Sequence, residues 1–223
     1  MTVSYRIREF PTFPIEKQIF HVPGLSIDGG FTVGGARITS PAPGGRSVLE
    51  IQPSLQINEF EFPISSWLMS KINGEIFRVR LAPTPQVLSA RSVSIPWEPD
   101  TLWSNDQPWQ GDLISKFKSS ALEGSSIVLV DMSSIGPRLQ PGHVIGHDNY
   151  TYKVDEVSYD ENMTATIEVV PPIRKTISVN DVVFFRPYFL GSIANGESMR
   201  VPYDAADNGH IQLGNIIFNE VVI

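Results

Sequence analysis

Short β-prone segments follow one another at regular spacing from Ser126 to the C-terminus, and this spacing constrains the fold more than any other feature. Turn-forming residues separate the segments, as in HDN, YDEN, PP and ANG. Regular short strands with turn signals between them are typical of an antiparallel sandwich or a small barrel. The predicted strands are SIVLVD and then, approximately, residues 138–145, 149–157, 163–170, 181–189, 198–201 and 210–218.

The first half of the chain predicts further β-structure and one short helix. A helix is expected near residues 65–73, where Ser65 or Ser66 can cap its start and Gly74 can end it. Strands are expected within residues 47–57, 75–81 and 91–96. We therefore predict a mainly β protein, with an N-terminal β-rich belt or sandwich domain over residues 1–123 and a small C-terminal antiparallel barrel or sandwich over residues 124–223.

A glycine-rich segment, GLSIDGGFTVGGARITSPAPGG at residues 24–45, places paired glycines around two short β-prone runs. It lies within residues 1–46, which look irregular but carry too much apolar surface for a solvated tail. The pattern predicts either a hairpin or an arm that orders against a neighbouring molecule.

Composition excludes several classes of protein. The 223 residues contain no cysteine, which excludes disulfides and thiolate metal sites. The formal net charge of −7 argues against a nucleic-acid-binding surface, because such binding depends on phosphate neutralisation by Lys and Arg. No apolar run approaches about 18 residues, so no membrane span is expected. The N-terminus, MTVSYRIREFPTFP, lacks the features of a signal peptide, which predicts a soluble protein made inside the cell.

The stretch PGHVIGHDNYTYKVDEV, residues 141–157, contains two of the four histidines, His143 and His147. On a helix this i, i+4 spacing would allow both to bind one zinc ion. Gly142 and Gly146 make a helix improbable, and the alternation that begins at Tyr150 indicates a strand with one buried face. We predict a β-hairpin with two surface histidines and no metal site.

No catalytic motif is present. The chain has no G-x-S-x-G elbow, no Ser-Lys motif, no phosphate-binding loop and no calcium-loop spacing in DAADNG. The carboxylate pairs Asp155/Glu156 and Asp160/Glu161 are adjacent in sequence, and adjacent residues of a strand face opposite sides. We therefore expect neither an enzyme nor a cofactor, and the alternative is a hydrolase whose carboxylates come from distant parts of the chain.

Residues 97–112, WEPDTLWSNDQPWQGD, form a predicted loop that holds three of the four tryptophans. Tryptophan is enriched both in cores and at interface hot spots, so the loop can anchor in its own core, dock on another subunit or offer a platform to sugar rings. We assign four aromatic residues to a subunit interface: Trp97, Trp103, Trp109 and Phe31 of the glycine-rich segment. A carbohydrate-binding module that uses the three tryptophans is the alternative.

The order of elements after about Gly124 resembles a known family. SSIVLVD is followed by LQPGHVIGHDNYTYKVDEV, TATIEVVPPIR and NDVVFFRP. This G-x-x-Y-x-V hairpin, Pro-Pro-Ile-Arg turn and N/G-D-x-V-x-F strand resemble the distal tail protein of long-tailed bacteriophages and gene transfer agents. The resemblance covers less than half of the chain.

The resemblance implies a structural protein of the virion tail, made in the host cytoplasm. Its copies would form a hexameric ring between the tail tube protein and the baseplate hub protein, through which DNA passes without specific binding. An acidic balance suits such a conduit, because carboxylates repel the DNA backbone. Other components of the same machine, such as a tail tube, tail completion or hub protein, are alternatives.

Overall fold

In the computed structural model, the described residues are 6–11, 15–23, 25–31, 37–42, 45–53, 67–68, 70–71, 74–82, 94–95, 109–110, 114–195 and 214–223. For residues 25–31, 37–42, 94–95, 109–110 and 114 the description covers the backbone alone. The chain divides into two compact units: unit 1 comprises residues 1–80 and 189–223, and unit 2 comprises residues 81–188.

The described residues form sixteen β-strands, which confirms the predicted mainly β class. In chain order the strands are β1 (Ile7–Glu9), β2 (Ile15–His21), β3 (Leu25–Phe31), β4 (Arg37–Ala42), β5 (Val48–Pro53), β6 (Ile76–Arg80), β7 (Ser94–Ile95), β8 (Trp109–Gln110), β9 (Ile114–Lys116), β10 (Ile127–Asp131), β11 (Val144–His147), β12 (Tyr150–Tyr159), β13 (Thr164–Val170), β14 (Val182–Phe184), β15 (Tyr188–Ile193) and β16 (Ile216–Glu220).

Unit 1 is built around a six-stranded sheet in the order β1-β6-β15-β16-β5-β2. β1 pairs with β6 in parallel, whereas the β15–β16, β16–β5 and β5–β2 pairs are antiparallel. The C-terminal strands β15 and β16 therefore lie between strands from the first 80 residues. The buried face carries Leu49, Ile51, Phe77 and Phe218, each with 0% of its surface exposed.

Unit 2 contains a six-stranded antiparallel sheet in the order β10-β13-β12-β11-β14-β9. Its two end strands meet, because Phe117 forms a bridge with Val130 directly after β9. The Lys118 amide also donates to the Leu129 carbonyl at 2.8 Å. The sheet is thereby nearly closed into a barrel, which leaves few unpaired strand edges.

The interior of this sheet is a single apolar cluster. Tyr152, Phe117, Phe185, Met132 and Leu139 are its largest fully buried side chains. Tyr150, Tyr152 and Val154 alternate into this cluster, which confirms the strand predicted from the sequence. Thr151 is also buried, and its hydroxyl donates to the Tyr188 carbonyl at 2.8 Å.

The two compact units do not follow the domain boundary that the sequence analysis predicted between residues 123 and 124. β9 lies before that boundary but pairs with β14, so unit 2 begins well ahead of it. β15 and β16 lie after it but belong to the sheet of unit 1. Pairing between strands distant in sequence decides both differences.

Three local predictions also differ from the structure. The strand expected at 138–145 starts only at Val144, because residues 140–143 form a turn in which the His143 amide donates to the Gln140 carbonyl at 3.1 Å. The segment 181–189 contains the start of β15 as well as β14. Residues 1–46 were expected to be irregular outside the two β-prone runs of the glycine-rich segment, but their described part also contains β1 and β2. The strand predicted at 198–201 lies outside the described residues.

The predicted helix is described only in part. Trp67 and Leu68 are helical, and the amides of Ser70 and Lys71 donate to their carbonyls at 3.1 and 2.8 Å. Gly74 has a φ of 87°, the left-handed conformation expected of a residue that ends a helix.

Candidate assembly surface

The segment between β2 and β5 forms a separate hairpin. β2 and β5 pair directly up to His21 and Val48, and the chain between those residues leaves the sheet. Within it, β3 and β4 pair antiparallel and form a two-stranded sheet of their own. This confirms the hairpin interpretation of the glycine-rich segment.

The base of this hairpin is narrow and firmly held. A Cβ atom placed on Gly45 would lie 2.4 Å from the Pro23 carbonyl oxygen, so the two chain segments nearly touch there. The Ser47 amide donates to a Glu220 carboxylate oxygen at 2.8 Å, and the Glu220 amide donates to the Ser47 carbonyl at 2.9 Å. Both residues are buried, so the base of the hairpin is joined to the six-stranded sheet of unit 1 by buried hydrogen bonds.

β2 is an end strand of the unit 1 sheet and carries exposed apolar side chains. Ile19, opposite Glu50 of β5, is 37% exposed, and Ile15, opposite Pro53, is 39% exposed. End strands present backbone donors and acceptors that another chain can pair with. We define the candidate assembly surface as β2 together with the β3–β4 hairpin.

The four aromatic residues predicted at an interface are only partly described. Phe31 lies in β3 opposite Arg37 of β4, so its backbone belongs to the hairpin. Trp109 lies in β8 opposite Ile95 of β7. Trp97 and Trp103 lie outside the described residues, as do the side chains of Phe31 and Trp109. The interface assignment and the carbohydrate alternative both remain predictions.

The two histidines of the β11–β12 hairpin are buried, so the prediction of surface histidines is wrong. His143 is 6% exposed and His147 is 8% exposed. The His147 Nε2 lies 3.1 Å from an Asp181 carboxylate oxygen, and its ring packs edge-on against Phe117 at 5.6 Å. The turn itself follows the prediction, since Asp148 has a φ of 55°.

Burial lowers the pKa of the His143 imidazole below its usual 6.5, and its Nδ1 accepts a hydrogen bond from the Gln140 amide at 3.2 Å. The unfolded chain therefore binds a proton at His143 more readily than the folded protein does. We expect the free energy of unfolding to keep its full value above about pH 7 and to decrease as the pH falls through 6.5. Gln cannot titrate, so in the His143→Gln variant the melting temperature should change less between pH 7.5 and pH 5 than it does in the wild type.

Thermal melts of both proteins across that range measure the effect. The carboxyls of Asp131, Asp160 and Asp181 do not interfere, because each has its pKa lowered from the usual 3.8, chiefly by a hydrogen bond from a backbone amide. Their contribution is lost only at more acidic pH. An unchanged slope in the variant would contradict the assignment to His143.

The exposure of the Asp155 and Glu156 side chains differs from the prediction made from the sequence. The β12–β13 register shifts between Val154 and Glu156, so Asp155 is an extra residue at a β-bulge. Both carboxylates are therefore solvent-exposed, although adjacent strand residues were expected to face opposite sides. Beyond the bulge Glu156 lies directly opposite Glu168 of β13.

The Glu156/Glu168 pair is suited to binding a cation and not to acid catalysis. Side chains directly opposite on antiparallel strands have Cβ atoms about 4.5–5.5 Å apart, so two carboxylates at this spacing can share one cation. Both are exposed, however, and lack the burial that makes a carboxylic acid an effective proton donor in glycosidases. No sequence motif marked the pair, because the bulge creates it.

Other site types find no support in the described part of the chain. Among these residues no group of three or more His, Asp or Glu side chains is placed to hold a metal ion. No helix among them is long and apolar enough to cross a membrane. Comparison of the sequence with protein-family models and with curated proteins finds no match.

Proposed function

We propose that this chain is a structural subunit that assembles with copies of itself through β2 and the β3–β4 hairpin. The observation that carries the proposal is the hairpin, whose strands pair with each other and leave the sheet of unit 1 from a closed base. A hairpin that forms its own two-stranded sheet, together with an end strand of the six-stranded sheet, offers two sets of backbone donors and acceptors. Assembly in a closed ring would pair such edges.

The specific assembly we propose is the ring at the distal end of a phage or gene transfer agent tail. The segments that carry the resemblance to distal tail proteins correspond to β10 through β14 of unit 2. In this role six copies join the tail tube protein to the baseplate hub protein, and the genome passes through the ring. The net charge of −7 supports passage without binding, because acidic walls repel phosphates. This function would depend on the association of the subunits and would involve no catalysed reaction.

Removal of the hairpin tests the proposal. Residues 24–44 are replaced by Asn-Gly, which can connect Pro23 to Gly45 because these residues already approach each other. We expect a purified wild-type ring of six copies in native mass spectrometry and negative-stain microscopy, and a folded monomer for the deletion variant. Circular dichroism of the variant should retain the β spectrum, since β2 and β5 still pair.

A matched control replaces Ser26 and Thr39 by alanine, which changes the hairpin sequence but retains both of its strands. This variant should still assemble. Rings formed by the deletion variant, or a wild-type protein that stays monomeric at all concentrations and with tail tubes added, would contradict the proposal.

A further inference from the structure

A depression of about 210 Å³ lies on the outer face of the unit 2 sheet, where β10, β13 and β12 run side by side. Ile127, Glu168 and Glu156 form a row across the three strands, since each is paired with the next. Ser158 and Thr166 form the neighbouring pair on the same face. Val157 also borders the depression, but its side chain, opposite the buried Ile167, packs against the apolar cluster. The depression thus combines two carboxylates and two hydroxyls with the apolar side chain of Ile127.

Folding alone does not explain the Glu156/Glu168 pair. Like charges directly opposite each other on neighbouring strands destabilise a sheet. In the described part of the chain neither carboxylate has an ion pair or hydrogen bond that would offset this repulsion. A cationic group inserted between them would remove the repulsion and gain two charge-assisted contacts.

We propose that this depression receives an arginine side chain of a partner protein. The guanidinium group has five N–H donors and can bind both carboxylates together, which a lysine ammonium group cannot do with fixed geometry. The aliphatic stem would pack on Ile127, which is 56% exposed. The hydroxyls of Ser158 and Thr166 can accept the remaining guanidinium donors.

The size of the depression fits one side chain. Its volume of about 210 Å³ exceeds the cavity of about 150 Å³ that accommodates a benzene ring. It is smaller than the pockets of about 300–1,000 Å³ that enclose small-molecule ligands. A single large side chain from a protein surface therefore fits better than a free metabolite.

The partner is a different protein with a basic contact region, because the two facing carboxylates and the net charge of −7 attract positive charge. This attraction should also raise the association rate at low salt. This inference involves unit 2 alone and does not depend on the hairpin or on the proposed ring.

A capped peptide of sequence Arg-Leu-Arg-Leu serves as the probe, with the same peptide carrying citrulline in place of arginine as the uncharged control. Amide chemical shifts of the full-length protein are followed by NMR during titration at 50 and 150 mM salt. We expect millimolar or tighter binding, centred on β10, β12 and β13, and no shifts with the citrulline peptide. Glu156→Gln with Glu168→Gln should weaken binding at least about tenfold, the effect of losing roughly 1.4 kcal/mol.

The matched variant is Glu123→Gln with Glu161→Gln, which makes the same charge change at exposed turn residues. It should bind as the wild type does. The Glu156/Glu168 variant should melt at an equal or higher temperature, because it loses the like-charge repulsion. Shifts spread over the whole acidic surface, equal weakening in both double variants, or concentration-dependent self-association at these residues would each overturn the proposal.

Discussion

A fragment that ends at residue 188 is expected to lose the whole fold of unit 1 and to keep the fold of unit 2. The missing segment carries most of β15 and all of β16, which lie between β6 and β5 in the unit 1 sheet. Without them Phe77 on one side and Leu49 and Ile51 on the other lose the strands that join them. Burial of these side chains is the main stabilising contribution to the unit, so its folding should fail entirely.

Unit 2 should fold without the remainder of the chain. Its ends meet, because the Leu81 amide donates to the Pro187 carbonyl at 3.0 Å and the Arg186 guanidinium donates to the Leu81 carbonyl at 3.2 Å. The described members of its apolar cluster all lie between Phe117 and Phe185, as do the two partly buried side chains, Val157 and Tyr159, that pack against it. A fragment of residues 81–188 should therefore give a cooperative thermal transition and a dispersed amide spectrum.

The measurement compares amide spectra of the full chain, the 1–188 fragment and the 81–188 fragment. We expect the unit 2 signals to coincide in all three, and those of unit 1 to collapse in the 1–188 fragment. As a control, residues 1–80 can be joined to 189–223 by a short Gly-Ser linker, which should restore the unit 1 signals. Native unit 1 signals in the 1–188 fragment would disprove the dependence on the C-terminal strands.

The local pattern of the sequence was sufficient to predict individual strands. The alternation of Tyr150, Tyr152 and Val154 reports one buried face, and Asp148 marks a turn that requires a left-handed backbone. Both signals lie within a few residues, and short-range steric and solvation effects decide them. The β11–β12 hairpin was therefore predictable.

Long-range pairing was not predictable from these local signals. Nothing near Phe218 indicates that β16 pairs with β5, some 170 residues earlier, instead of with the strands that precede it in unit 2. The burial of His147 has the same origin, because its neighbours Phe117 and Asp181 are distant in sequence and meet it only in the folded sheet. Gly146 likewise has a long-range role: a Cβ atom there would lie 2.3 Å from the Pro187 Cβ.

The depression around Glu156 and Glu168 depends on a β-bulge that the alternation of the sequence does not reveal. A strict period of two places Asp155 and Glu156 on opposite faces, and a single extra residue in β12 changes which side chains are exposed after it. The opposition of Glu156 and Glu168 follows from that shift. Bulges depend on the register of both strands, so the β12 sequence alone does not fix their position.

Replacing Phe218 by alanine is expected to lower the free energy of unfolding of unit 1 by about 3–5 kcal/mol. Phe218 is 0% exposed and makes edge-to-face contacts with Phe10 at 5.2 Å and Phe77 at 6.1 Å. Phe10 and Trp67 each also contact Phe77 at 6.0 Å, so the deletion opens a cavity inside a connected aromatic cluster. The lost stability therefore includes the burial of the Phe218 ring and its contacts with the neighbouring aromatic rings.

The neighbouring Ile217→Ala variant is the matched control, because Ile217 lies on the same strand, opposite Glu50, and is only half-buried. Its replacement should cost about 1 kcal/mol or less. Hydrogen exchange followed by mass spectrometry measures both effects, since peptides from β5, β6 and β16 report on unit 1 and peptides from β12 and β13 on unit 2. Phe218→Ala should accelerate exchange in the first set alone. Equal losses in the two variants would mean that the aromatic cluster does not stabilise unit 1, and accelerated exchange in β12 and β13 would mean that the two units unfold together.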